Sequence, residues 1–159
     1  SFVDGRAQLC DALRSIAETH PDVELVYPVH PNPNVINPVR ERLSNHPRIH
    51  LVAPQDYLPF LWLMDRAHLV ITDSGGIQEE APSLGKPVLV TRDVTERPEA
   101  VDAGTVRLVG TDRDRVIAEA SRLLDDPAAY ARMARAVNPY GDGQACPRIA
   151  QFVEERLGA

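Results

Sequence analysis

The stretch LVITDSGGIQEEAPSLGKPVLV, residues 69–90, decides the fold. Leu69–Thr72 reads as a short buried strand, Gly76–Leu84 as a helix stopped by Gly85, and Pro87–Val90 as a second buried strand. Two continuous apolar strands joined by a helix lie parallel, because a parallel pair needs a long crossover. Between the first strand and the helix stands Asp73-Ser74-Gly75-Gly76. Ser74 is a good N-cap residue type, and the two glycines let a ligand approach their N–H groups closely. The first turn of a helix leaves unpaired N–H donors and a partial positive charge. The turn therefore suits a diphosphate at the C-terminal edge of a sheet. It equally suits a capped helix that binds nothing. It is neither a Walker A loop nor a GxGxxG fingerprint, since the glycines are adjacent and no Lys-Ser or Lys-Thr follows.

One helical turn beyond Gly76, Glu80 returns to the same face of the helix. A carboxylate there can accept hydrogen bonds from both hydroxyls of a ribose. The bland alternative for Glu79 and Glu80 is an acid pair favoured by the helix dipole.

Outward from this unit, helical and strand-like segments alternate. Towards the N-terminus, Asp56–Ala67 reads as a buried helix, Arg48–Val52 as a strand, and Val35–Leu43 as a helix with Pro38 in its first turn. Val23–Val29 reads as a strand, and Arg6–Thr19 as a helix with Leu9, Leu13, Ile16 and Ala17 on one face. Towards the C-terminus, Thr105–Val109 is a strand bounded by Gly104 and Gly110, and Arg113–Leu124, Pro127–Val137 and Gly143–Leu157 are helices. The pattern implies an α/β, Rossmann-like parallel sheet with helices on both faces, built as one domain over residues 1–159. Such a unit usually opens on a central strand, whereas this sequence opens on a helix. A preceding strand, and with it a longer protein, is expected.

Composition narrows the function classes. The 159 residues are 43% hydrophobic and 25% charged, with a net charge of −6. That balance is ordinary for a globular domain and argues against a general nucleic-acid binder, which needs a basic face. No apolar run reaches the ~18 residues of a membrane span. The N-terminal residues form no secretory signal, so the cytoplasm is the expected location. Cys10 and Cys146 have neither CxxC nor zinc spacing and are expected to be two reduced thiols. No metal site or cofactor is indicated. Asp73, Asp93 and Asp142 are scattered and suit capping or turn roles.

Four separate motifs then make the chain resemble one family. They are VYPVHPNPNV (26–35), TDSGGIQEEAPSLGKPVLV (72–90), TERPEAVDAGTVRLVGTD (95–112) and NPYGDGQACPRI (138–149). Together they resemble the C-terminal domain of non-hydrolysing bacterial UDP-N-acetylglucosamine 2-epimerases, in order and spacing, over almost the whole chain. The resemblance implies the C-terminal half of a GT-B-type two-domain fold with UDP in the cleft. By motif, Ser74, Gly75 and Gly76 would hold the diphosphate, Glu80 the ribose hydroxyls, Gln55 and Phe60 the uracil, and Arg97 the region near the phosphates. His30 would border a second, allosteric UDP-N-acetylglucosamine site.

Each assignment has a plainer alternative. Arg97 suits phosphate through charge-assisted hydrogen bonds, or pairs with Glu96 or Glu99 at the surface. Phe60 is equally a core residue, Gln55 a helix-capping side chain, and His30 a loop histidine bonded to backbone. His20, His46, His50 and His68 match no family role.

The family interconverts UDP-N-acetylglucosamine and UDP-N-acetylmannosamine by eliminating UDP and re-adding it to the other face of the glycal. Its acid–base carboxylates lie on the N-terminal domain. The resemblance therefore implies no catalytic residue in this chain, which alone is expected to be inactive. In the family a histidine that contacts UDP lies in a HisArgArgGlu segment just before the dipeptide that Ser1-Phe2 resembles, so that histidine and the strand leading to it are expected to be missing here. The full-length protein is expected to be a homodimer. Two alternatives stay open: the donor-binding domain of a GT-B glycosyltransferase, and a non-catalytic UDP-binding fragment. The His30 segment argues mildly against a hydrolysing epimerase.

Overall fold

The computed structural model describes residues 2–141 and 144–157. Helices and parallel strands alternate through most of the chain. In order they are α1 (Phe2–Thr19), β1 (Leu25–Pro28), α2 (Pro33–Leu43), β2 (Ile49–Val52), α3 (Tyr57–Arg66), β3 (Val70–Thr72) and α4 (Gly75–Ser83). The chain continues as β4 (Val88–Val90), α5 (Pro98–Ala103), β5 (Val106–Leu108), α6 (Arg113–Asp125), α7 (Pro127–Ala134) and α8 (Ala145–Leu157).

Strand β4 shows why the sheet is covered on both faces. Val88, Leu89 and Val90 are all fully buried. Successive side chains of a strand point to opposite faces. Leu89 packs with Ala12 and Ile16 of α1, Val116, Ala120 and Leu123 of α6, and Met133 of α7. Val88 and Val90 pack with Met64 of α3, Ala81 of α4, Ala100 of α5 and Val106 of β5. The continuous apolar run that suggested a two-sided parallel sheet is borne out here.

The sheet is in two parts among the described residues. β1 pairs in parallel with β2, and β3, β4 and β5 form a second parallel set in that order. No ladder joins β1 to β3. The two parts nevertheless share packing. Cys10, Leu13 and Ala17 of α1 bury Val29, Val39, Leu43 and Ile49 beside the first part. Leu9 and Ile71 touch both this cluster and the one around Leu89.

Polar caps set several helix starts. Asn32 accepts from Asn34 N–H, Asp112 from Arg115 N–H, and Asp126 from the N–H groups of Ala128 and Ala129. The Asp126 carboxyl is held below its usual range by those bonds, first by that of Ala129.

Two expectations are corrected and one element is added. α3 is not a buried helix: of its residues only Met64 is buried, while Tyr57, Leu58 and Trp62 are 62%, 72% and 55% exposed. Phe60, Leu61 and Met64 pack on the cluster around Val88, while Leu58 and Trp62 line an open groove with Val26 and Val52. Arg66 stacks its guanidinium over the exposed Trp62 ring at 3.8 Å. The six-residue helix α5, on PEAVDA, was not read from sequence. Ser74 occupies the N-cap position of α4, but its side chain makes no capping bond.

Both cysteines are free thiols, Cys10 buried and Cys146 exposed. No helix of the described residues is long and apolar enough to cross a membrane. No group of three or more His, Cys, Asp or Glu residues among them could hold a metal ion. Asp142 lies outside the described residues.

Candidate functional site

The parallel topology sends most of the singled-out residues to one edge. His30 follows the C-terminal end of β1, Gln55 that of β2, Ser74 and the glycines that of β3, and Arg97 lies on the segment after β4. The C-terminal edge of parallel strands is where α/β sheets take ligands.

The turn after β3 is the best formed part. Ser74 is extended, at φ −82° and ψ 130°, and Gly75 begins α4. The Ser74 N–H donates to Thr72 Oγ1 at 3.1 Å, so that amide already has a partner. The N–H groups of Gly75 and Gly76 have no protein acceptor among the described residues. Space above them is open: a Cβ on Gly75 would meet nothing within 4 Å, and one on Gly76 only Ser74 Oγ at 3.9 Å. Two helix-terminal amides thus lack a protein acceptor and stand beside uncrowded Cα positions, as the first turn of an anion-binding helix does.

Charged groups follow on the same helix. Glu79 and Glu80 are half-buried on α4. Glu79 is bound to Arg97, whose Nε donates to Glu79 Oε1. That hydrogen bond, then the Glu79 charge, raises the Arg97 guanidinium above its ordinary pKa. Arg97 Nη1 also donates to the Glu96 carbonyl at 3.2 Å. The surface pairs weighed from sequence, with the Glu96 or Glu99 carboxylate, are not the ones formed. Glu80 has no ion-pair partner among the described residues.

Helix α4 gathers two other motifs around itself. Gln78 is fully buried and accepts from the Thr95 hydroxyl at 2.6 Å, which ties down the TERPEA segment. At the far end, Ser83 donates to the Glu79 carbonyl at 3.1 Å and accepts from Asn138 Nδ2 at 2.9 Å. Asn138 Oδ1 in turn accepts from Tyr140 N–H at 3.2 Å. Tyr140 packs on the cluster around Val88. Burial, and then the negative charges of Glu99 and Glu79, push its phenol up from the ordinary value. Gln78, Thr95, Ser83 and Tyr140 were not singled out from sequence. A glutamine inside a short helix, with a threonine seventeen residues on, carries no periodic signal.

Other expected site residues stand further off. Gln55 is exposed and donates to the Ala53 carbonyl at 2.8 Å. It lines an open apolar groove of about 570 Å³ with Val26, Val52, Leu58, Trp62 and Leu63. Phe60 instead packs on the core beside Met64 and Ala81. His30 is exposed, and its Nδ1 accepts from Asn32 N–H at 3.2 Å. Of the unassigned histidines, His20 bridges the Ile16 carbonyl and Asp125, His46 accepts from Arg48 N–H, His50 bonds Glu24, and His68 stacks on Tyr130.

The turn, the arginine segment and the NPYG segment are thus built as one unit around α4. Residues 3–154 match the family described as UDP-N-acetylglucosamine 2-epimerase. The chain belongs to this family. It is 62% identical to the UDP-N-acetylglucosamine 2-epimerase of Escherichia coli K12, over 97% of this chain and 41% of that protein. It superposes with a TM-score of 0.89 on the UDP-GlcNAc 2-epimerase of Neisseria meningitidis bound to UDP-GlcNAc, at 47% identity over 94% of this chain and 41% of that one. The glycotransferase of kitacinnamycin shares the fold, with a TM-score of 0.63 at 22% identity over 91% of this chain and 38% of that one. This epimerase-family chain therefore spans about two-fifths of its relatives' length, and it carries the GT-B-like α/β architecture.

Proposed function

We propose that this chain is the UDP-sugar-binding part of an epimerase that interconverts UDP-N-acetylglucosamine and UDP-N-acetylmannosamine. The observation that carries the reading is the pair of amides without a protein acceptor at Gly75 and Gly76, on the same short helix as Glu80 and as Glu79, which holds Arg97. The amides receive the diphosphate and fix it without side-chain reorganisation, which suits a leaving group whose charge grows as the C–O bond breaks. Ser74 contributes its hydroxyl, which caps nothing else in the helix. Arg97 lies close enough to α4 to exchange its carboxylate partner for a phosphate. Glu80 accepts from the ribose hydroxyls. Gln55 before α3 and Phe60 in its first turn are assigned to the uracil end by the family motif alone. His30 is proposed for a second nucleotide-sugar site on the loop after β1.

The acid–base groups that move the C2 proton belong to the rest of the protein, and so does the strand that would join β1 to β3 into one sheet. Both strands have an edge with no ladder, and their cores already meet at Leu9 and Ile71. The whole enzyme is proposed to be a cytoplasmic homodimer.

Isothermal calorimetry of the chain with UDP tests the binding reading. Heat of binding for UDP, lost on Gly75→Ala, supports it. A folded chain by circular dichroism that shows no UDP binding defeats it. The chain alone is expected to leave the C2 proton of UDP-N-acetylglucosamine unexchanged. The full-length protein is expected to form UDP-N-acetylmannosamine without an acceptor, which a glycosyltransferase would not do.

A further inference from the structure

Gln78 sits on α4 with 1% of its surface exposed, the most deeply buried polar side chain among the described residues. Burying a carboxamide is costly unless both of its ends are paired. Both are. Nε2 donates to the Ser74 carbonyl at 3.3 Å, and Oε1 accepts from Thr95 Oγ1 at 2.6 Å. The Thr95 oxygen itself accepts from the Arg97 N–H at 3.0 Å. The direction of this line is forced. A backbone N–H can only donate, so the Thr95 oxygen accepts there, and its own proton goes to Gln78 because the carboxamide turns its oxygen towards it. A carbonyl can only accept, so the amide nitrogen of Gln78 faces Ser74.

One line of hydrogen bonds therefore runs from Ser74, immediately before Gly75, to the backbone of Arg97. Two further ties hold the same pair of segments. Thr91 N–H donates to the Thr72 carbonyl at 2.9 Å, and Glu79 takes the Arg97 guanidinium. Both are of kinds found throughout parallel sheets and surfaces. The Gln78 line is different because its central side chain is buried and it passes through the helix that presents the amides.

We propose that Gln78 is a positioning residue for diphosphate recognition: through Thr95 it sets where Arg97 stands relative to the amides of Gly75 and Gly76. The inference rests on the reading of that turn as a diphosphate site. Gln78 touches no ligand itself. A side chain that only filled space would be replaced by methionine with no effect specific to phosphate. A positioning residue would lose affinity for the phosphate-bearing ligand and keep it for the nucleoside.

The test compares the unsubstituted chain with Thr95→Val, Thr95→Ser and Gln78→Met. Thr95→Val removes the relay hydroxyl without entering the buried helix face, so it guards against a Gln78→Met chain that does not fold. Each is titrated with UDP and, separately, with uridine by calorimetry. Exchange of the Arg97 Nε proton is followed by nitrogen-15 NMR without ligand. The expected result is a loss of about tenfold in UDP affinity for Thr95→Val and Gln78→Met, as one broken hydrogen bond implies. Uridine affinity changes by no more than about twofold, and Thr95→Ser, which keeps the hydroxyl, behaves as the parent does. Arg97 proton exchange quickens in the first two variants only. Equal UDP affinity throughout, or parallel losses for UDP and uridine, overturns the proposal. If the parent chain binds no UDP, the diphosphate reading falls and the exchange rates alone decide. Unchanged exchange in Thr95→Val then shows that Gln78 does not position Arg97.

Discussion

The guanidinium of Arg97 is held by the carboxylate of Glu79, across the gap between the segment after β4 and the second turn of α4. The pair is about two-fifths exposed on each side, so its net worth to folding is small. Its consequence is geometric. It holds the Arg97 cation against α4, the helix that the proposed diphosphate turn opens. Arg97→Ala is expected to weaken UDP binding by about 10- to 100-fold, the range for one charged hydrogen bond. Thermal unfolding should barely move. Calorimetry and a melting curve on the same variant check both halves.

Glu80, one residue on, has no ion-pair partner among the described residues, and its job is read as gripping ribose. Glu80→Gln is expected to lower UDP affinity by about tenfold or more. The sharper readout is discrimination. The parent chain should prefer UDP to 2′-deoxy-UDP, and in Glu80→Gln that preference should collapse. Equal preference in both proteins would remove Glu80 from the sugar site.

The order of elements was legible because short apolar runs such as Val88–Val90 and the i, i+3, i+4, i+7 spacing of α1 report burial directly. The strand–helix junction at Ser74-Gly75-Gly76 was legible because a short apolar run meets a serine and two glycines there and a helix follows. What escaped has physical reasons. α5 is six residues long and shorter than two full turns, so no period could show. α3 carries apolar residues nearly all round, which periodicity reads as burial. Its exposed face shows that apolar content alone does not say what covers a surface. The Gln78–Thr95 and Ser83–Asn138 bonds join residues far apart in sequence, and no local spacing announces such pairs. Pairing of Arg97 with Glu79 rather than Glu96 or Glu99 followed from the same cause.

The two thiols should separate cleanly in reactivity. Cys10 is buried on α1 between Leu13 and Val39, and that burial pushes its thiol up from the ordinary value. Cys146 is exposed on α8. A thiolate, not a thiol, attacks a disulfide reagent. In the folded chain one equivalent of Ellman's reagent should therefore react quickly, at Cys146. The second should react only on unfolding, or slowly as pH rises well above the usual thiol range. Cys146→Ser should abolish the fast phase, and two fast equivalents in the native chain would contradict the packing of α1.

The most discriminating change is a single methyl group at the turn. Gly75 and Gly76 are the first two residues of α4, and neither has a positive φ. A Cβ at Gly75 meets nothing within 4 Å, and one at Gly76 only Ser74 Oγ at 3.9 Å. Alanine is therefore compatible with the fold at both sites. It restricts the unfolded chain more than glycine does, so each substitution should leave stability unchanged or raise it by about 0.4–1 kcal/mol. Ligand binding should respond in the opposite sense. An anion bonded to these amides sits about 3 Å from nitrogen, and a methyl on the adjoining Cα crowds that position. UDP affinity should fall by about tenfold or more in Gly75→Ala. Rising or constant melting temperature with falling UDP affinity would place the cost on the ligand alone. A variant that binds UDP as the parent does would mean that these amides do not face the diphosphate, whatever else the family resemblance implies.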